Sequence, residues 1–277
     1  VMVDFGKYIN SIYEKQPLVQ CITNFVTVND CANIILASGG TPSMSQDIRE
    51  VEESVTRSSA LVCNMGAIDF IDSMILAGKK ANELNIPVIL DPVAVGGTEL
   101  RRGEGKRLLE NVNFSVIRGN ASEIRFLAGQ KTSGKGVDVS TSDEVTEGNL
   151  SEFVVMVEEL SRKTKSVIAV SGILDIVTDG QQTIVIRNGC STMARVTGSG
   201  CMLTALIGAF CGTFPNDMFG SACAAMITMG VCGEIAEEKR LKSKTGNATF
   251  RTDMIDAVFN ITEEQLANKA NYEVFRK

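Results

Sequence analysis

The chain has 277 residues, 44% hydrophobic and 22% charged, and its 27 Lys plus Arg against 33 Asp plus Glu leave a net charge of −6. That is the composition of an ordinary globular protein, long enough for one large α/β domain or two smaller ones and without the basic excess that binding nucleic acid requires. There is no histidine, which excludes Ser-His-Asp triads, H-E-x-x-H metal sites and imidazole acid–base catalysis, and leaves carboxylates, Cys, Lys, Arg, main-chain N–H groups or a bound metal. The eight cysteines are scattered without a C-x-x-C pair, the pattern of reduced thiols rather than of a disulfide frame or zinc site. Residues 1–7 carry charges where a secretion signal needs an apolar run, and no stretch reads as long and apolar enough to span a bilayer. A cytoplasmic protein with no nucleic-acid or membrane partner is expected.

An amphipathic helix opens the chain, with Phe5, Ile9, Ile12 and Tyr13 on one face. A first strand follows over 17–22, ended by Thr23-Asn24, and then a helix over 28–38 stopped by Gly39-Gly40. Residues 41–44 read as short and extended, 47–58 as an acidic helix, 60–65 as a strand and 68–84 as a long helix. Residues 86–92 form a strand closed by Asp91, ahead of a helix over 103–111 and a strand over 114–117, with another helix beginning at Asn120. Leu150, Phe153, Val154, Val157 and Leu160 have helical spacing, with Asn149 and Glu152 as a cap pair. Strands are expected over 166–171, 175–178 and 183–187, the last two a hairpin around Asp179-Gly180. Two small-residue helices (199–212 and 219–238) and a C-terminal helix from Thr252 complete the chain. Strands alternating with helices, in continuous apolar runs, predict one α/β domain over 1–277: a three-layer α/β/α arrangement around a mostly parallel sheet. The polar stretch 129–149 is the expected flap.

In such a sheet ligands bind beyond the C-terminal strand ends, where Asn24, Asp91, Arg118 and Ser171 fall. The glycine loop Val196-Thr197-Gly198-Ser199-Gly200-Cys201 runs straight into an apolar helix. Gly198, Ser199 and Gly200 would let main-chain N–H groups converge on an anion, backed by the helix dipole. Cys201 in the first turn would feel the same field, which favours a thiolate; the alternative is a small apolar cysteine packed beneath a tight turn. Asp91 suits Mg²⁺ held through water, or else a turn or cap. Asn120-Ala121-Ser122-Glu123 is a helix N-cap with Glu at its third position, which only its placement beside Arg118 and opposite Asp91 lifts toward a metal and phosphate role. Arg118 bridges phosphates or is a solvated arginine. The P-loop-like run from Gly129 to Gly136 lacks the final Ser/Thr and follows a helix, the wrong context.

Taken together, these residues resemble the hydroxyethylthiazole kinases of the ribokinase-like superfamily. The likeness runs through Pro17-Leu18-Val19, Ile22-Thr23-Asn24, Thr41-Pro42-Ser43-Met44, Leu90-Asp91-Pro92-Val93, Ile117-Arg118-Gly119-Asn120-Ala121-Ser122-Glu123 and Val196–Leu203, where Cys201 replaces the superfamily's usual aspartate. The resemblance implies a ribokinase-like fold and ATP- and Mg²⁺-dependent phosphorylation of 4-methyl-5-(2-hydroxyethyl)thiazole in thiamine salvage. It further implies that Met44, Gly198 and Asn24 serve the thiazole, that Arg118 and Ser171 contact ATP, that Asp91 and Glu123 hold Mg²⁺ mostly through waters, and that Cys201 faces the hydroxyl. A homotrimer with sites between subunits is implied as well. Gln20 stands where many members have histidine, Asp30-Cys31 where they have Phe-Thr, and Ser171 where they have threonine. Rival readings are a kinase of a pyrimidine or pyridine alcohol, an ATP-dependent dehydratase on the same fold, and a non-catalytic nucleotide-binding regulator.

Overall fold

Apolar side chains alternate between two covered faces along each central strand, and that alternation builds the architecture. In the computed structural model, residues 5–130 and 144–276 are described. The chain runs α1 (Gly6–Lys15), β1 (Leu18–Ile22), α2 (Val28–Ala37), β2 (Thr41–Ser43), α3 (Val51–Thr56), β3 (Ala60–Asn64), a 3-10 turn (Ile68–Phe70) and α4 (Ile71–Glu83). It continues with β4 (Val88–Asp91), α5 (Glu99–Asn111), β5 (Val116–Asn120), α6 (Ala121–Leu127), α7 (Leu150–Thr164), β6 (Val167–Ser171), β7 (Asp175–Thr178) and β8 (Thr183–Ile186). A second 3-10 turn (Ser191–Arg195), α8 (Ser199–Thr213), α9 (Met218–Ser243), α10 (Asn247–Asn260), α11 (Glu263–Lys269) and β9 (Tyr272–Val274) complete it.

The nine strands among the described residues form one sheet in the order β2-β1-β3-β4-β5-β6-β7-β8-β9. The pairings from β2 to β6 are parallel, and those from β6 to β9 antiparallel. Val19, Val62, Ile89, Val116 and Ala169 face a core built with α1, α2, α8, α9 and α10. Leu61, Cys63, Leu90, Ile117 and Ile168 face the opposite core, built with α3, α4, α6 and α7. Both faces of these five strands are therefore buried, which is why they read as continuous apolar runs. This is the expected α/β/α fold.

Several expectations need correction. The acidic helix is only Val51–Thr56, because Asp47 takes the Arg49 N–H and side chain and makes a turn instead. Asn149 does not cap α7: its Oδ1 accepts from Thr146 N at 2.9 Å and its Nδ2 donates to Glu144 O at 2.9 Å. The C-terminal helix starts at Asn247, not Thr252, and is followed by α11 and the short edge strand β9. Three residues pairing at an edge leave too little periodicity to read from sequence. Finally, α9 is 26 residues long and, by length and composition alone, apolar enough to cross a membrane; but 78% of its apolar window is buried inside the fold, so it is a core helix. Of the expected flap, 131–143 lies outside the described residues.

Candidate active site

The parallel strands end on one side of the sheet, and five neighbouring strands each deliver a polar side chain there. Asn24 lies just past β1; Asn64 closes β3, Asp91 closes β4 and Ser171 closes β6, while Arg118 projects from the third position of β5. These strands are consecutive in the sheet, so their side chains link into a row. Asn24 Nδ2 donates to Asn64 Oδ1 at 3.3 Å, Asn64 Nδ2 donates to Asp91 Oδ2 at 3.2 Å, and Arg118 Nη1 pairs with Asp91 Oδ2 at 3.5 Å. Arg118 Nη2 donates to Ser171 Oγ at the far end.

The first turn of α8 lies over this row. Gly198 precedes it in a left-handed conformation (φ +84°), and a Cβ at that position would overlap the Thr27 side chain, so only glycine fits. Gly200 is pressed against Arg118: a Cβ there would stand 2.5 Å from Nη1. Cys201 Sγ receives Asn64 Nδ2 at 3.2 Å and Asn24 Nδ2 at 3.5 Å. One turn on, the Thr204 hydroxyl donates to Asp91 Oδ2 at 2.8 Å. Ser199 N–H is turned back to Val196 O at 3.4 Å, so Gly200 and Cys201 supply the forward-facing N–H groups of this helix start.

The electrostatics follow from burial. Asp91 is 1% exposed, and desolvation raises its carboxyl above the usual range against the opposing pull of Arg118 and Thr204. All its hydrogen bonds fall on Oδ2, while Oδ1 is buried without a partner; so is Arg118 Nε. Glu123 stands at the third position of α6, as the cap pattern predicts. There it completes a capping box, with Oε2 accepting Asn120 N at 2.8 Å and Oε1 accepting Ala94 N at 2.9 Å. Burial, then the Asp91 charge, push it up to about 7. The Cys201 thiol is raised by burial and next by Asp91, which outweigh the lowering contributions of Thr27 and Asn64. The helix field does not make it a thiolate, as expected from position alone.

Arg118, Ser171 and Asp91 are thus joined directly, as are Asn24 and Cys201; Asn64 links the two groups, and Glu123 stands beside them through the charge of Asp91. Met44 lies one residue past the edge strand β2, half-buried against the core, at the side of the row that begins with Asn24. Asn64 and Thr204 were not singled out from sequence. Asn64 has the same signature as Asp91, a polar residue closing an apolar strand-length run; Thr204 has only its place one turn after Gly200.

Comparison with known proteins gives the family. The profile of the hydroxyethylthiazole kinase family matches residues 9–264. The chain belongs to that family. A hydroxyethylthiazole kinase of Clostridium beijerinckii is 47% identical over 264 residues, covering 95% of this chain and 94% of that protein. One from Methanobrevibacter smithii is 42% identical over 274 residues, covering 96% and 95%. The structure of a hydroxyethylthiazole kinase protein from Pyrococcus horikoshii superposes with a TM-score of 0.86 at 31% identity, covering 99% of this chain and 100% of that one. An ADP complex of Bacillus subtilis pyridoxal kinase shares the fold, with a TM-score of 0.57 at 16% identity over 78% of this chain and 90% of that one. As a member of the hydroxyethylthiazole kinase family the chain is an enzyme, a phosphotransferase.

Proposed function

We propose that this chain transfers the γ-phosphoryl group of ATP to the hydroxyethyl group of 4-methyl-5-(2-hydroxyethyl)thiazole, a salvage step toward thiamine, as one cytoplasmic domain. The carrying observation is the seating of Cys201 at the start of α8 over Asn24, Asn64 and Asp91. Arg118, anchored by Ser171, supplies a fixed cation for the ATP phosphates. The N–H groups that open α8, with Gly198–Gly200 as the cradle, take negative charge on the phosphoryl group in flight. Asn24, Met44 and Gly198 border the thiazole.

Asp91 fits a Mg²⁺ role: its Oδ1 is an unpartnered, buried carboxylate oxygen, the kind of hard donor that Mg²⁺ or a Mg²⁺-bound water takes. Glu123 fits an outer role, since each of its oxygens already accepts a main-chain N–H. Bound there, the ion would neutralise phosphate charge. Cys201 steers the hydroxyl as a thiol. In the loose transition state of phosphoryl transfer the alcohol proton needs direction more than early removal, so a raised thiol is compatible with the task. The test is a Mg²⁺-ATP assay with the thiazole alcohol beside a pyrimidine and a pyridine alcohol. Turnover preferring the thiazole is expected, and preference for either other alcohol defeats the reading.

A further inference from the structure

Asn64 is buried at the end of β3, 1% exposed, in the middle of the strand-end row. Its amide is fully used. Oδ1 accepts Gly66 N at 2.8 Å and Asn24 Nδ2 at 3.3 Å; Nδ2 donates to Asp91 Oδ2 and to Cys201 Sγ, both at 3.2 Å. An amide has two donors and two acceptor lone pairs, so these four partners leave no alternative orientation. A flip would set Oδ1 against the Asp91 carboxylate.

The surroundings lock it further. Asn24 Oδ1 is held by Val26 N and Thr27 N, both at 3.1 Å, and by the Thr27 hydroxyl at 3.2 Å, so Asn24 Nδ2 can face only inward. Gly66 carries no side chain where a Cβ would lie 2.7 Å from Asn64 Oδ1 and 2.9 Å from Asn24 Nδ2. The thiol of Cys201 therefore meets two N–H donors in fixed directions, and Asn64 hydrogen-bonds both to that thiol and to Asp91.

We infer that Asn64 is a positioning residue for the reaction: it fixes the Cys201 sulfur toward the acceptor alcohol and separates it from the Asp91 carboxylate. The inference rests on the kinase reading above. A buried side chain making four hydrogen bonds restricts its partners to one geometry, and small displacements of a reacting pair are costly in rate. Acting through Cys201, Asn64 governs turnover rather than ATP affinity, which the opposite end of the row sets through Arg118 and Ser171.

The experiment is a double-mutant cycle with Asn64→Ala and Cys201→Ala, read by kcat and by KM for ATP and for the thiazole alcohol. Asn64→Ala is expected to lower kcat by roughly 10- to 100-fold, the scale of misplacing a reacting group, with KM for ATP little changed. In the Cys201→Ala background the same substitution should matter by less than about 3-fold, because groups that act together are not additive. Full additivity overturns the inference. Asn64→Asp keeps the shape and the acceptor oxygen but loses both donors, so it covers the case in which Asn64→Ala fails to fold; wild-type kcat in Asn64→Asp also overturns it. A second readout needs no turnover: iodoacetamide labelling of Cys201, followed by peptide mass mapping in ATP-free enzyme. Labelling is expected to be several-fold slower in Asn64→Asp, where a carboxylate replaces the N–H donor beside the sulfur, and an equal or faster rate counts against the proposal. Wild-type enzyme inert toward the thiazole alcohol defeats the kinase reading alone, and the labelling comparison still decides the role of Asn64.

Discussion

At the scale of single residues, Cys201 is where position and environment disagree. Its place in the first turn of α8 favours a thiolate, while burial and the nearby Asp91 carboxylate raise the thiol instead. In the proposed reaction the residue works through a directed hydrogen bond, and the two amide donors on its sulfur define what a replacement can use. Cys201→Ala should cost roughly one to four orders of magnitude in kcat, as for loss of a positioned proton-handling group, with ATP binding nearly intact. Cys201→Asp should retain more activity than Cys201→Ala, because both amides then donate to a carboxylate oxygen. The reverse ranking in steady-state kinetics would show a merely packed cysteine, with the new charge buried against Asp91. The two carboxylates proposed for Mg²⁺ should also separate. Asp91→Asn should raise the Mg²⁺ concentration needed for half-maximal rate and lower kcat, since Oδ1 is the oxygen left without a partner. Glu123→Gln should change the Mg²⁺ titration less and leave the capping box of α6 in place, because glutamine at the third helical position still accepts Asn120 N. Identical Mg²⁺ titrations for wild type and Asp91→Asn would remove Asp91 from the metal site.

At the scale of elements, α8 is both a core helix and the lid of the strand-end row, and its glycines divide those duties. Gly200 is helical, so alanine there should favour the helix by up to about 1 kcal/mol on propensity alone. Yet the added Cβ would stand 2.5 Å from Arg118 Nη1, in a buried guanidinium paired with Asp91 and Ser171, so the guanidinium must shift and those pairs strain. Gly200→Ala should therefore lower the melting temperature despite the better helix propensity, while raising KM for ATP several-fold. An unchanged KM would mean that Gly200 matters for packing, not for Arg118. The same elements show what was legible beforehand. The continuous apolar runs of β3, β4, β5 and β6 announced a parallel sheet, and Asp91, Arg118 and Ser171 at or near the ends of β4, β5 and β6 stood out as a row, because strand period is a local consequence of sequence. Asn64 carried the same signature in Ala60–Asn64 but has no charge, so nothing marked it as chemical until Cys201 was seen against it. Thr204 and the cap on Glu123 by Ala94 N depend on contacts spanning 113 and 29 residues respectively, which no local pattern encodes. Asn149 failed as a cap for the converse reason: Thr146 N and Glu144 O, close in the chain, compete for its amide.

At the scale of the whole molecule, the surface beside the row is unusually apolar for so polar a site. Phe25 is 90% exposed and Val26 58%, immediately after Asn24. The turn that bears Phe25 is not loose, because Asn24 Oδ1 takes the N–H groups of both Val26 and Thr27. A rigid turn thus holds a phenyl ring in solvent at the mouth of the site, although burying such a side chain is worth about 1.5–3 kcal/mol. Exposed apolar groups clustered in this way mark a surface built for contact. A second copy of the chain is the proposed occupant, in a closed ring of three with head-to-tail interfaces that set Phe25 and Met44 of one subunit near the site of the next. Light scattering at micromolar concentration should then give three times the chain mass. Phe25→Ser should shift the mass toward the monomer and lower kcat/KM for the thiazole alcohol in step with that shift, while Leu84→Ser, an exposed leucine at the end of α4, should alter neither. The coupling of mass to activity is the deciding point, since a ring that only stabilises the fold would lose mass without losing substrate affinity at low temperature. A fully active monomer at micromolar concentration would show that each chain completes its own site and that Phe25 faces a different partner.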